Sequence, residues 1–285
     1  MASFWHVTAA GEAPNHGYPV NADSVPAGRG GGLAITALSG WLALWLALAL
    51  AAYGTVAALL GARSGRRAWM ASALGAVWGQ FAALSVAVLA LEWALLGSDF
   101  SIRYVAQNSS QSTPWMYKMS GLWGALEGSL LLWAWLLAAC SAVVAALYGR
   151  RHAELMPYVL AVLFAVSAFF LGVQCFISDP FESLVPAPPD GRGLNPLLEN
   201  PGMVFHPPAL YLGYVAFTVP FAFALAALIS GRLDAEWITT TRRWTLAAWW
   251  ALTAGILLGA WWAYRVLGWG GYWAWDPVEN ASLLP

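Results

Sequence analysis

Six apolar stretches decide what this chain can fold into. Residues 33–60, 69–96, 122–148, 158–177, 209–229 and 244–266 each reach the ~20 residues that cross a bilayer as a helix. Each is apolar on every side, which lipid demands of a segment that must satisfy its own backbone. With 60% hydrophobic and 9% charged residues, against roughly 25% charged in a soluble domain, no soluble core could bury so much. The reading is an all-α polytopic membrane protein: six transmembrane helices plus the start of a further helix. Membrane lipid is the partner this implies. A net charge of −1 with no basic cluster speaks against nucleic acid.

Basic residues in the loops orient the spans. Arg63, Arg66 and Arg67 follow the first span, Arg150 and Arg151 the third, and Arg232, Arg242 and Arg243 the fifth. The alternate loops, although longer, hold only Arg103, Lys118 and Arg192. The polar tail 1–32 and the segment 267–285 are therefore predicted outside, with 33–266 forming the membrane domain. Two outer loops, 98–121 and 178–208, exceed what a simple connector needs. The second is set by prolines and reads as a shaped surface. The tail has no basic start, and the apolar run behind it is too long for a secretory signal.

Three features could carry chemistry. Trp269, Trp273 and Trp275 lie just past the sixth span, interleaved with Gly268, Gly270 and Gly271. Tryptophan prefers the membrane interface, so an aromatic belt explains them in part. The glycines add a backbone that can approach a flat partner closely, which suggests a face for a large planar ligand. Asp276, Pro277 and Glu279 spell a helix start: a capping side chain, proline at the first position and an acid at the third. The helix so begun has about two turns before Pro285, which reads as the opening of a further span in a longer protein. His206, of the four histidines, is the one placed in a structured outer loop at the mouth of the fifth span. A neutral imidazole there could bind a metal or haem iron, or simply hold a hydrogen bond.

Other residues are less telling. Glu92 and Glu127 sit near outer helix ends, where water or headgroups are in reach, and no ionisable residue lies at mid-depth. That counts against a transporter, whose sites favour buried charge near the midplane. Gly124 and Gly128 have the spacing that lets helices approach. Cys140 and Cys175 should differ in depth by roughly 15 Å, too far for a disulfide, so two free thiols are expected. No nucleotide fingerprint, zinc spacing or nucleophile–base pair is visible.

With these residues in view, the chain resembles the large haem lyase subunit of the bacterial System I cytochrome c maturation pathway, the CcmF/NrfE-type proteins. The resemblance covers 69–285 and is carried by "SDFSIRYVAQNSSQSTPWMYKMSGLWGALEGSLLLW", "GLNPLLENPGMVFHPPALYLGYVAF" and "GWGGYWAWDPVENAS". It implies that Trp269, Gly270, Gly271, Trp273, Trp275, Asp276, Pro277, Glu279 and Asn280 form a haem-holding outer segment. It also implies that His206 is the outer histidine serving the iron. Tyr272 and Ala274 stand where the family often has larger aromatics. The family's second outer histidine and its two intramembrane histidines follow the motif, so they are expected beyond Pro285.

The function implied is cytochrome c biogenesis. Haem would be held on the outer face and presented for thioether attachment to the C-x-x-C-H of an apocytochrome c. The cofactor implied is haem. The partners implied are a haem-carrying chaperone, apocytochrome c and further haem lyase subunits, in the bacterial cytoplasmic (inner) membrane. Residues 1–285 alone are expected to be inactive as a haem lyase. The rival is a membrane scaffold or transporter whose tryptophan segment is only an interfacial or protein-binding patch.

Overall fold

The computed structural model describes residues 30–149, 152, 154–266 and 271–285. Trp269, Gly270, Arg150, Arg151 and most of the tail 1–32 lie outside the described residues. Among the described residues the architecture is all-helical. Six long helices are apolar enough to cross a membrane: α1 (Gly30–Ser64), α2 (Arg67–Gly97), α5 (Leu126–Tyr148), α6 (Met156–Phe176), α7 (Pro201–Ser230) and α8 (Glu236–Val266). Three short ones lie between or after them: α3 (Arg103–Asn108), α4 (Trp115–Ser120) and α9 (Pro277–Leu283). Cys140 and Cys175 are buried free thiols.

The bundle has an inner set and an edge. α1 packs on α2 and α6, α5 sits among α2, α6 and α7, and α8 packs chiefly on α7. Leu84, Leu91, Leu131, Leu137, Leu160 and Phe223 are fully buried at these contacts. A polar pair, Gln80 Nε2 donating to Ser167 Oγ at 2.8 Å, joins α2 to α6 inside the bundle, so the central glutamine is satisfied. α8 is the least enclosed span, with Leu246, Trp249, Trp250 and Leu257 facing outward. α7 and α8 meet backbone to backbone: a Cβ on Gly213 would lie 2.5 Å from Leu252, and one on Gly255 would lie 2.7 Å from the Leu210 nitrogen. Small residues allow this approach where lipid supplies no hydrophobic drive between helices.

The two long loops, 98–121 and 178–208, are stitched to each other. Arg103 N–H donates to the Glu182 carbonyl (2.8 Å) and Leu184 N–H to Ser101 (2.7 Å), flanking an antiparallel bridge between Ile102 and Ser183. Further along, Arg192 N–H donates to Ala106 and Gly193 N–H to Ser109, while Asp190 Oδ1 accepts from Gln111 N–H at 2.8 Å. Phe181 anchors this platform on α1, where a Cβ on Gly40 would collide with its ring.

Two sequence expectations shift in detail. The fifth helix begins at Pro201, ahead of the apolar run at 209, so the second outer loop ends sooner. Gly128 makes room for the buried phenol of Tyr104 and for the Leu122 carbonyl, where helix approach had been expected. The Tyr104 hydroxyl sits against the carbonyls of Gly121 (2.8 Å) and Leu122 (3.0 Å) and accepts from Ala125 N–H. It thereby fixes the turn that leads into α5. Burial pushes this phenol well above the usual tyrosine range.

Candidate functional site

His206 lies inside α7, in its second turn, and not in a loop. The helix starts as its residues dictate. Asn200 Oδ1 accepts from Gly202 N–H at 2.9 Å and Pro201 takes the first position, a favourable entry. Pro207 and Pro208 then follow His206 and would be expected to break the helix. Proline at 207 leaves the Met203 carbonyl without its helical donor. The Trp123 indole N–H supplies one from outside, at 2.8 Å. The helix runs on past Pro207, and another part of the chain completes the bond that this proline removes.

The imidazole is turned toward α8. It is 7% exposed, and its Nδ1–H donates to the Gly255 carbonyl at 2.8 Å. A Cβ on Gly259 would stand 2.6 Å from Cε1 and 2.8 Å from Nδ1, so the ring lies against bare backbone. The Trp262 ring centroid is 5.8 Å away, tilted by 52°. Nε2 makes no hydrogen bond among the described residues.

The segment after α8 is a tethered loop. Asp276 Oδ1 accepts from Glu279 N–H at 2.7 Å and caps α9. Glu279 Oε2 accepts from Ala274 N–H at 2.6 Å, two residues farther back than a capping box reaches. Asn280 Nδ2 donates to the Trp275 carbonyl at 3.1 Å. Both ties hold Trp275 in the left-handed region, φ 55°, a conformation costly for a bulky side chain. Gly271 and Trp273 are half-buried, whereas Trp275 is 70% and Tyr272 58% exposed. Trp273 and Trp275 meet edge to face at 6.1 Å. Tyr272 stacks on Tyr264 of α8 at 4.5 Å, 5° from parallel.

The last two turns of α8 therefore serve both groups: Trp262 lies by His206 and Tyr264 by the loop. Among the described residues the His206 ring bonds to α8 and not to 271–285. Sequence reasoning passed over Trp262 and Tyr264 because they sit inside an apolar run; their place beside the tryptophan segment was the available signal. Indole N–H groups of Trp262 and Trp273 are buried without an acceptor among the described residues. Within α9, Ser282 Oγ donates to the Glu279 carbonyl at 2.6 Å.

A polar cavity of about 290 Å³ opens where the loops 98–121 and 178–208 meet, lined by Arg103, Tyr104, Gln107, Glu127, Ile177, Asp179 and Glu182. Arg103 pairs with Glu182 at 2.6 Å. Among the described residues no three His, Cys, Asp or Glu are grouped to hold a bare metal ion. Nε2 of His206 has no hydrogen-bond partner among the described residues and could coordinate a porphyrin iron, and Tyr272 and Trp275 are exposed flat surface.

A multi-pass helical membrane protein with a tethered tryptophan loop after its sixth long helix is the class these features define. A family described as Cytochrome C assembly protein matches residues 123–285, and the chain belongs to it. It is 53% identical over 248 residues to the cytochrome c-type biogenesis protein CcmF of Pseudomonas aeruginosa, 86% of this chain and 38% of that protein. The Escherichia coli CcmF is 48% identical over 243 residues, 85% of this chain and 38% of the relative. A probable biogenesis protein NrfE from Escherichia coli is 48% identical over 206 residues, 72% of this chain and 37% of the relative. Among solved structures, a cytochrome c haem lyase CcmF aligns with a TM-score of 0.76 and 43% identity, covering 87% of this chain and 39% of that one. The chain thus spans about two-fifths of the length of these relatives, and its likeness is to the CcmF/NrfE type.

Proposed function

We propose that this chain forms the haem-holding outer part of a cytochrome c haem lyase in a bacterial inner membrane. The observation that carries the reading is the tethered loop, which presents Tyr272 and Trp275 outward while Glu279 and Asn280 fix its backbone. In this reading Trp269, Gly270, Gly271, Trp273 and Trp275 offer the planar face, and Asp276 and Pro277 start the helix that supports it. His206 serves the iron through Nε2. Haem is substrate here: a chaperone delivers it, and other lyase subunits help present it to apocytochrome c. The protein's task is orientation. In the bond-forming step each client thiol adds across a vinyl group, sulfur to one carbon and hydrogen to the other, with no net redox change. The tail and the tryptophan loop lie on the outer face, consistent with arginines on the opposite side.

The test is haem content per purified protein. Trp273→Ala with Trp275→Ala removes two aromatic contacts, each worth ~0.5–1.5 kcal/mol beyond its area. Occupancy should fall about tenfold while membrane insertion is unchanged. Full haem retention and full cytochrome maturation in that variant would leave the loop an aromatic belt and end the proposal.

A further inference from the structure

The surroundings of His206 do more than bury it. A free neutral imidazole exchanges its proton between two nitrogens, and only the bare one can bind a metal. Here the partner of Nδ1 is a backbone carbonyl, 2.8 Å away. A carbonyl can only accept, so Nδ1 must carry the proton. The carbonyl reaches the ring because Gly255 lets α7 and α8 close to backbone contact. The ring can lie there because residue 259 has no Cβ; one would fall 2.6–3.3 Å from Cε1, Nδ1 and Nε2. In the same helical turn, the Met203 carbonyl that Pro207 leaves free accepts from the Trp123 indole N–H.

We propose that Gly255, Gly259 and Trp123 are positioning residues that lock His206 as the Nδ1–H tautomer and leave Nε2 as its one metal-binding nitrogen. The inference rests on the reading of His206 as the residue that serves haem iron. Fixing a ligand's tautomer through its second nitrogen raises its basicity and orients its ring, and loss of such a partner costs about 10–100-fold in metal affinity.

Two measurements on the purified membrane protein test this. The first needs no haem: nitrogen NMR of histidine-labelled protein in micelles, with His206→Gln used to assign the signal. Wild-type His206 should show a protonated Nδ1 and a bare Nε2. Gly259→Ala should abolish that pattern, and Trp123→Phe, which keeps an aromatic ring but loses the N–H, should give mixed tautomers. Gly75→Ala, where an added Cβ meets nothing within 4 Å, should change nothing.

The second is haem titration followed by the absorption band. Gly259→Ala should bind about 10–100-fold more weakly, and His206→Gly should lose the wild-type band and regain it with added imidazole. Wild-type signals and affinity in Gly259→Ala, with the band lost in His206→Gly, would overturn the positioning role and leave the ligand reading standing. A wild-type band in His206→Gly would overturn both. If Gly259→Ala fails to accumulate in the membrane, Trp123→Phe decides: unchanged nitrogen signals in it overturn the proposal.

Discussion

Replacing Glu279 with alanine should loosen the loop that carries Trp273 and Trp275 without unwinding α9. The helix keeps its cap, because Asp276 Oδ1 accepts from the backbone N–H of residue 279 and not from its side chain. What is lost is the 2.6 Å bond from Ala274 N–H to the carboxylate. Hydrogen bonds to charged groups contribute about 1.5–3 kcal/mol. At this half-exposed position about 1–2 kcal/mol is the better expectation. That is similar to the ~1–3 kcal/mol cost of an unfavourable backbone conformation, which Trp275 adopts with φ 55°. The bond and the strain are thus near balance, and removing the bond should tip the loop toward other conformations. A change of 1–2 kcal/mol corresponds to about 5–30-fold in population. The assay is amide hydrogen exchange at Ala274 in nanodiscs: 5–30-fold faster in Glu279→Ala, with a smaller change in Glu279→Gln, which keeps an acceptor. Unchanged exchange at Ala274 in the alanine variant would show that the loop is held by something other than this tie.

Three other outcomes are expected. Tyr104→Phe strips a buried hydroxyl from the carbonyls of Gly121 and Leu122 and from Ala125 N–H; unfolding in detergent should show a loss of about 1–3 kcal/mol, and wild-type stability would contradict the role given to this turn. Asp179 has its carboxyl raised by burial, against the opposing bond from Phe181 N–H. Its favourable contribution is therefore present at low pH and lost as pH rises through the folded pKa. Asp179→Asn should be neutral or slightly stabilising at pH 7, by less than about 1 kcal/mol, and this difference should vanish as melts are taken toward acid; a gain that grows toward acid would reverse the assignment. For orientation, cysteine at exposed Ser112 should react with an impermeant thiol reagent in intact cells while cysteine at Ser64 should not, and the opposite pattern would invert the topology.

The sequence by itself determined the spans. Lipid offers the backbone no hydrogen bonds, so every crossing segment must be a long apolar helix, and six such runs could be read directly. It also determined the start of α9, since the bond from Glu279 N–H to Asp276 joins residues three apart. Only the tertiary structure decided the rest, because the contacts join distant parts of the chain. Pro207 and Pro208 read locally as a break. The helix continues, and the Met203 carbonyl that Pro207 frees accepts from Trp123, a bond that no local pattern encodes. The same holds for Gly128, whose room is taken by Tyr104 from the loop 98–121. It holds for the stitching of the two outer loops, and for His206, whose ring is oriented by the backbone of α8. Local sequence can state which groups need a partner; which distant group meets that need depends on how the helices pack.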